Sequence, residues 1–363
     1  MSRCLRKLHE APTAALLCVL CTIGVRAQQA AIDTNPSKAS FTIFDVPGAG
    51  AGAYQGTTPE SINLSGDIAG SYSDASGAYY GFVRGANGAI TTFDAPGAAF
   101  YTFAYAINAP GDIAGYYLDA NGAYHGFVRN TSGVFTTFDA PGAGTGAGQG
   151  TLAYAINNAG DSTGYYLDSI SAFHGFVRAA TGTITTFNAP DAGTGGFQGT
   201  LAYGINNSRG ICGYYVDLND AIHGFARAAD GTITGFTAPG AIATWALATN
   251  ASGEIAGHFQ VPGQPDSGML RSARGVFTTI NVPGKFIGTY PVTINKSGAI
   301  AGYYADFIGA WHGFRRSVGG DITTFNAPGA HRRTIPRSMN ESDSIAGSFT
   351  DANNVYHGFL LTP

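Results

Sequence analysis

Residues 152–178 read LAYAINNAGDSTGYYLDSISAFHGFVR, and three positions within them recur through most of the chain. An Asn before a turn (Asn157) is followed seven residues later by a Gly (Gly164), and eleven residues after that by a second Gly (Gly175). The Asn recurs as Asn63, Asn108, Asn157, Asn206, Asn250, Asn295 and Asn340, and both Gly spacings hold in every copy, from Gly70 with Gly81 to Gly347 with Gly358. From the second Gly to the Pro of the next F-D-A-P-G-like element (Pro96, Pro141, Pro190, Pro239, Pro283, Pro328) the distance is always fifteen residues. All variation falls between that Pro and the next Asn, where the gaps run from 11 to 16 residues. Segments of constant length are packed, and the segment that absorbs insertions is a surface loop.

Each block of about 47 residues reads as four short strands separated by turn signals, the expected content of one propeller blade. In the third block these are Leu152–Ile156, Ser162–Leu167, His174–Arg178 and Ile184–Phe187, rich in the Thr, Ile, Val, Phe and Tyr that suit a half-buried pleated surface. No helical period appears in 41–363. The expected fold is therefore all-β, a seven-bladed β-propeller of four-stranded antiparallel blades. Three connections per block are tight hairpins and the fourth is long and variable, so the fourth is the crossing between blades. That makes the Ala-rich strand before each Asn the innermost and the I-T-T-F strand the outermost. The seventh block lacks its outer strand, whereas Phe41-Thr42-Ile43-Phe44 has the I-T-T-F frame and no blade of its own. The N-terminal strand is expected to complete the last blade and remove an exposed edge.

The organisation read from the chain is a leader over 1–27, a short linker over 28–40 and one propeller domain over 41–363. Arg3, Arg6 and Lys7 precede an apolar run from Ala11 to Val25, and Val25-Arg26-Ala27 offers small residues for cleavage, the pattern of a secretory signal peptide. The apolar run is short for a membrane span, so a secreted protein without stable membrane insertion is expected. Removing 1–27 takes away four basic residues and one acidic one, leaving fifteen against twenty-two, a net charge of −7. An acidic protein argues against nucleic-acid binding. Cys18 and Cys21 have redox or metal-site spacing but leave with the leader, and only Cys212 remains. The 53 Gly and 12% charged residues are about twice and half the usual shares. Aromatic residues at 12% supply a core all the same.

The repeated I-N-N-x-G-D-x-x-G-Y-Y…H-G-F-V-R resembles the HAF extracellular repeats of bacterial exported proteins, across essentially all of 41–363. The eponymous His-Ala-Phe appears here as His-Gly-Phe in five blocks, as Tyr80-Gly81-Phe82 in the first and as Ser267-Gly268-Met269 in the fifth. The resemblance implies a repeat-built exported protein; without the C-terminal sorting tail frequent in that family, this chain is expected to be freely released. The family brings no established activity.

Five Asp/His pairs flank a five-residue hairpin loop: Asp119 with His125, Asp168 with His174, Asp217 with His223, Asp306 with His312, and Asp351 with His357. A carboxylate-oriented His is what general-base catalysis uses, but five copies in a near-symmetric ring suit a structural bond that fixes each hairpin. Two ligands per blade do not fill a metal shell, so neither metal nor cofactor is expected. Arg84, Arg129, Arg178, Arg227, Arg271 and Arg315 are expected to make ion pairs at the blade ends near Asp67, Asp112 and Asp161. The Gly-rich loops such as 142–150 lack G-K-[ST] and G-x-G-x-x-G, and no G-x-S-x-G, H-E-x-x-H or EF-hand loop occurs.

Function in such a ring is expected where the symmetry breaks. The departures cluster in blades five to seven: Trp245, Lys285, Tyr290, His331, Arg332, Arg333 and Arg337. With the Asp/His hairpins these loops should share one face. A cationic, aromatic patch on an acidic protein suits an anionic glycan or an extracellular protein, and the chain reads as a monomeric, non-catalytic binding or scaffold module. The alternative is a polysaccharide lyase or hydrolase using the same face, recruiting Arg332, Arg333, His331, Tyr290 and Glu60.

Overall fold

The computed structural model describes residues 39–363. The predicted leader, and all but the last two residues of the predicted linker, lie outside them. Among the described residues there are twenty-eight strands and no helix. In the third blade Gly150–Ile156 pairs antiparallel with Ser162–Leu167, that strand with Phe173–Arg178, and Phe173–Arg178 with Ile184–Phe187. The same four-strand order repeats in every blade. Successive blades share only single parallel pairings, such as Phe173 with Gly199. The Ala-rich strands are innermost: each touches the corresponding strand of the next blade, and the last, Arg333–Met339, touches the first, Gly56–Ile62.

The last blade is completed from the other end of the chain. Ser40–Phe44 lies antiparallel to Tyr356–Thr362, with Ser40 opposite Thr362 and Phe44 opposite Gly358.

Three repeated contacts explain the constant spacings. The first is a bulge. In every innermost strand the register breaks around the fifth residue, Tyr154 in the third blade, and the Gly seven residues after the Asn lies opposite. A Cβ on Gly164 would come within 1.9 Å of the Leu152 carbonyl oxygen. The second is an aromatic cover, since the ring of Phe187 in the outermost strand lies 2.5 Å from where a Cβ of Gly175 would sit. The third is a ring of amides. Asn63 Nδ2 donates to the main-chain oxygen of Asn108 at 3.2 Å, Asn108 to that of Asn157 at 3.1 Å, and so round to Asn340, which donates to Asn63 at 3.0 Å. Each of the seven Asn side chains is buried. Each also turns its Oδ1 onto its own hairpin, as Asn157 does in accepting the N–H of Asp161 at 2.9 Å. Only a side chain with both a donor and an acceptor can do this, so Asp would not substitute.

A fourth repeat was not anticipated. The fully buried Thr at the second position of each inner strand accepts the N–H of the residue before the loop Pro, for example Thr200 from Ala189 at 2.8 Å. It ties the inter-blade crossing to the strand that follows.

The Arg series corrects an expectation. These guanidinium groups do not form a row of ion pairs. They lie over the Phe ending the outer strand of the preceding blade, with Arg84 4.9 Å from the Phe44 centroid, Arg129 4.6 Å from Phe93, Arg178 5.0 Å from Phe138, Arg227 4.9 Å from Phe187 and Arg271 4.4 Å from Phe236. An aromatic face in a half-buried seam attracts a weakly hydrated guanidinium. In the sixth blade the equivalent residue is Arg316, the last of Trp311–Arg316, and the preceding outer strand ends in Ile280, which offers no ring. Arg315 sits one place earlier and pairs with Asp343 of the last blade. Of the turn carboxylates, Asp161 accepts from Arg209 Nε of the next blade at 2.7 Å and from the Ala180 N–H at 3.1 Å.

Cys212 is fully buried and burial pushes its thiol up to about 12. Folded residues 28–363, in which Cys212 is the sole cysteine, should leave a thiol reagent unconsumed at pH 8, with one equivalent taken up on unfolding. Labelling at the rate of a free thiol before unfolding would contradict this burial.

Candidate functional site

The variable loops and the five-residue hairpins emerge at the same end of the ring, where they bind each other. Gln149 Nε2 donates to Ser169 O at 2.9 Å, Gln55 Nε2 to Ala75 O at 3.2 Å, and the Phe197 N–H to Ser171 O at 2.7 Å. The loops that end in Gln55-Gly56-Thr57, Gln149-Gly150-Thr151 and Gln198-Gly199-Thr200 are therefore props for this face.

On it, each predicted Asp/His pair meets. His Nε2 to Asp Oδ2 measures 3.3 Å for His174 with Asp168, 3.4 Å for His223 with Asp217, 3.1 Å for His312 with Asp306, 3.6 Å for His125 with Asp119 and 3.8 Å for His357 with Asp351. The other ring nitrogen faces the outer-strand end: Asn188 for His174 at 2.9 Å, Thr237 for His223 at 2.7 Å, Asn326 for His312 at 2.8 Å, Asp139 for His125 and Asp45 for His357, both at 3.0 Å. Each imidazole also stacks on a ring of the second strand, as His174 does on Tyr166 at 4.8 Å. Both nitrogens are hydrogen-bonded in His174, His223 and His312, while His125 and His357 hold their Asp by a longer Nε2 contact. The carboxylates serve their own hairpins too. Asp119 Oδ1 accepts the N–H of Ala123 and of Asn121, both at 2.9 Å, and these bonds, the Ala123 one foremost, hold the Asp119 carboxyl below its usual range.

Towards the axis, the bulge turns the fifth residue of each inner strand inwards: Glu60, Tyr105, Tyr154, Tyr203, Leu247, Val292 and Arg337. Tyr105 and Tyr154 have centroids 4.7 Å apart, Tyr154 and Tyr203 5.0 Å. Each of these hydroxyls faces one on the second strand, Tyr154 with Tyr165 at 3.2 Å. Arg337 Nε lies 3.7 Å from Glu60 Oε2 across the junction between the last and first blades. Burial raises the Glu60 carboxyl, with Arg337 opposing, and the Glu60 charge raises Arg337.

The seven departures do not form one patch. Trp245, Tyr290 and Arg333 join a continuous line with three residues the sequence did not single out. Trp245 stacks on His258 at 4.6 Å, His258 meets Tyr290 edge-on at 5.2 Å, Tyr290 stacks on Tyr303 at 5.1 Å, Tyr303 on Trp311 at 5.0 Å, and the Arg333 guanidinium lies 5.2 Å over Trp311. The rings keep partial exposure on the loop side of the axial level. Burial pushes His258 down to about 4 and its Nδ1 has no partner, so the wall carries a neutral imidazole. Burial and then the Asp266 carboxylate raise the Tyr290 hydroxyl. Lys285 stands apart, its ammonium donating to Asp266 O at 3.1 Å and Ser267 Oγ at 3.2 Å. It clamps two blades together. His331 and Arg332 are exposed beside a hollow of about 50 Å³ shared with Trp311, His312, Asn326 and Arg333. Trp311 was open to detection, as the bulkiest residue at a position that holds Tyr124, Phe173 and Ile222 in other blades. Arg337 lies apart from them, against Glu60.

Among solved structures the chain is similar to a virginiamycin B lyase from Staphylococcus aureus, at 13% identity and a TM-score of 0.57 over 90% of this chain and 100% of that one. A streptogramin B lyase aligns at 13% identity and 0.57, over 89% of this chain and 98% of its own. The β-propeller domain of the Trilobed protease from Pyrococcus furiosus, which has an open velcro topology, aligns at 10% identity and 0.53, over 84% and 95%. No protein-family model and no curated protein matches the chain, so the HAF likeness stays one of motif. At such identities these likenesses speak for architecture alone, and by architecture this chain is a β-propeller.

Proposed function

We propose that this protein is a secreted, non-catalytic binding module of the HAF-repeat kind whose loop face holds an anionic glycan. The observation that carries the reading is the unbroken line Trp245–His258–Tyr290–Tyr303–Trp311 with Arg333 at its end. Flat, partly exposed rings pack against the C–H faces of sugars, and a guanidinium held over the terminal ring donates to a carboxylate in a forked geometry. The non-catalytic part is supported by the raised Tyr290 hydroxyl and by the burial that pushes His258, the neutral imidazole of the wall, down to about 4, which makes it a weak base. Secretion rests on the leader-like 1–27.

The test is retention of residues 28–363 on dextran, polygalacturonate and dextran sulfate, beside Trp311→Ala and Arg333→Ser. Retention on polygalacturonate alone is expected, weakened roughly tenfold or more by either substitution. Equal binding to dextran, or binding indifferent to both variants, would overturn the assignment. Detectable depolymerisation by the parent protein would favour the lyase alternative.

A second reading, an extracellular protein partner, is favoured by one observation. The loop face carries several exposed apolar side chains, among them Phe307 at 76%, Leu218 at 72% and Phe286 at 63%, the composition of a docking rim.

A further inference from the structure

At the end of the ring opposite the loop face, a hollow of about 180 Å³ opens on the axis, lined by matching positions of blades two to seven. Its mouth is formed by the residue after each ring Asn, while Ile107, Ile156, Ile205 and Ile294, each one residue before its Asn, line it deeper. At the mouth the main-chain N–H takes an acceptor from the next blade wherever one is offered. Ala109 donates to Asn158 Oδ1 at 3.0 Å, Asn158 to Asn207 Oδ1 at 2.9 Å, and Lys296 to Glu341 Oε2 at 2.7 Å. After Asn207 the series meets Ala251 and then Lys296, whose side chains carry no acceptor. Among the described residues the N–H groups of Asn207 and Ala251 make no hydrogen bond, nor do the side-chain nitrogens of Asn158, Asn207 and Lys296. Among the described lining residues Glu341 is the single carboxylate, and one of its oxygens already holds the Lys296 N–H. The nearby Glu254 and Asp343 are bonded to the amides of Asn250 and Asn295, each at 2.8 Å.

Unspent donors above apolar walls select a ligand that accepts at one charged end and is otherwise aliphatic. A carboxylate can bridge N–H groups of adjacent blades and take the ammonium in a charge-assisted bond, while its tail rests on the isoleucines. Because Glu341 offsets Lys296, the mouth suits a monoanion, and a phosphate dianion would meet the Glu341 charge. We propose that this hollow is a binding site for a small aliphatic carboxylate, held by the N–H groups of Asn207 and Ala251 and by Lys296 Nζ. It lies at the far end of the axis from the aromatic wall, so it is independent of the glycan reading.

The experiment is calorimetric titration of residues 28–363 with sodium butyrate, sodium phosphate and butylammonium chloride. Ala251→Asn, Lys296→Gln and Leu64→Asn are measured alongside, each checked for an unchanged melting temperature. Ala251→Asn places at the gap the acceptor that Asn158 and Asn207 supply elsewhere, so it should close the Asn207 N–H and abolish butyrate binding without disturbing the fold. Lys296→Gln should weaken butyrate roughly tenfold by removing a charged donor. Leu64→Asn makes the same change at a mouth position that does not line the hollow, and should leave binding as it was. Butyrate that binds the parent and Ala251→Asn equally, or gives no heat with either, would overturn the site. So would phosphate or butylammonium binding in its place, the first making it an inorganic-anion site and the second a cation site at Glu341. Polygalacturonate retention should be indifferent to butyrate; displacement of the polymer would move the acid to the loop face and overturn the assignment.

Discussion

A chain lacking residues 28–46 is expected to lose its single cooperative unfolding transition. The deletion takes away the strand Ser40–Phe44, whose five register pairs complete the last blade. With it go Phe41, 5.8 Å from Phe359 and 6.1 Å from Phe325, and Phe44, which lies against Phe82 and under Arg84. Val46, only 2% exposed, goes too, and Thr57 loses the N–H it accepts. Two Phe side chains and a Val, at roughly 1.5–3 kcal/mol each, amount to a large part of a net stability of about 5–15 kcal/mol. The third strand, Tyr356–Thr362, would be left as an open edge ready to pair with another chain. Calorimetry should show a broad, depressed transition, with light scattering that grows with concentration. An unchanged melting curve would mean that the ring holds without its closing strand.

Gly164→Ala should be among the most damaging single-methyl substitutions in the blade, lowering stability by more than about 3 kcal/mol. The added carbon would meet the Leu152 carbonyl oxygen at 1.9 Å and Ala153 Cα at 3.0 Å. Both are backbone atoms of a buried strand and cannot rotate aside. Gly77→Ala makes the control. Its φ of +86° strains any L residue, but nothing lies within 4 Å of the new atom, so the cost should stay near 1–2 kcal/mol, about that of the left-handed conformation. Urea midpoints of the two variants decide it. Equal losses would show that the bulge yields, and that space opposite it is not what the Gly spacing preserves.

These cases also mark what was legible in the sequence. The distances from Asn157 to Gly164 and from Gly164 to Gly175 encode real contacts, a bulge and an aromatic cover, and so the strand order, the innermost strand and the closing strand could all be read from them. What the spacing could not say is which side of a strand a residue faces once the bulge has shifted the alternation by one. For that reason Glu60 and Arg337 looked like parts of separate loops, although the fold places them together on the axis. Trp245 and Tyr290 stood out because they depart from the repeat. Tyr303 occupies the same place as Tyr116 and Tyr165 and gave no such signal, and His258 becomes interesting only between its two neighbours. Lys285 looked available because no sequence pattern tells that Asp266 O and Ser267 Oγ occupy its ammonium. The Arg series misled for a chemical reason: nearby carboxylates suggest ion pairs, but Phe rings from the blade before arrive first.

The amide ring has an implication for how the molecule could be cut. Asn340 reaches Asn63 by the same bond, 3.0 Å long, that joins Asn63 to Asn108 at 3.2 Å, though one bond joins neighbours in the sequence and the other joins residues from its opposite ends. At its hub, then, the ring does not register where the chain starts. Circular permutants opened at the loop after Pro141 or Pro190, with the present ends linked, should therefore keep the same hub, and the order in which the blades are written along the gene becomes a matter of history more than of mechanics.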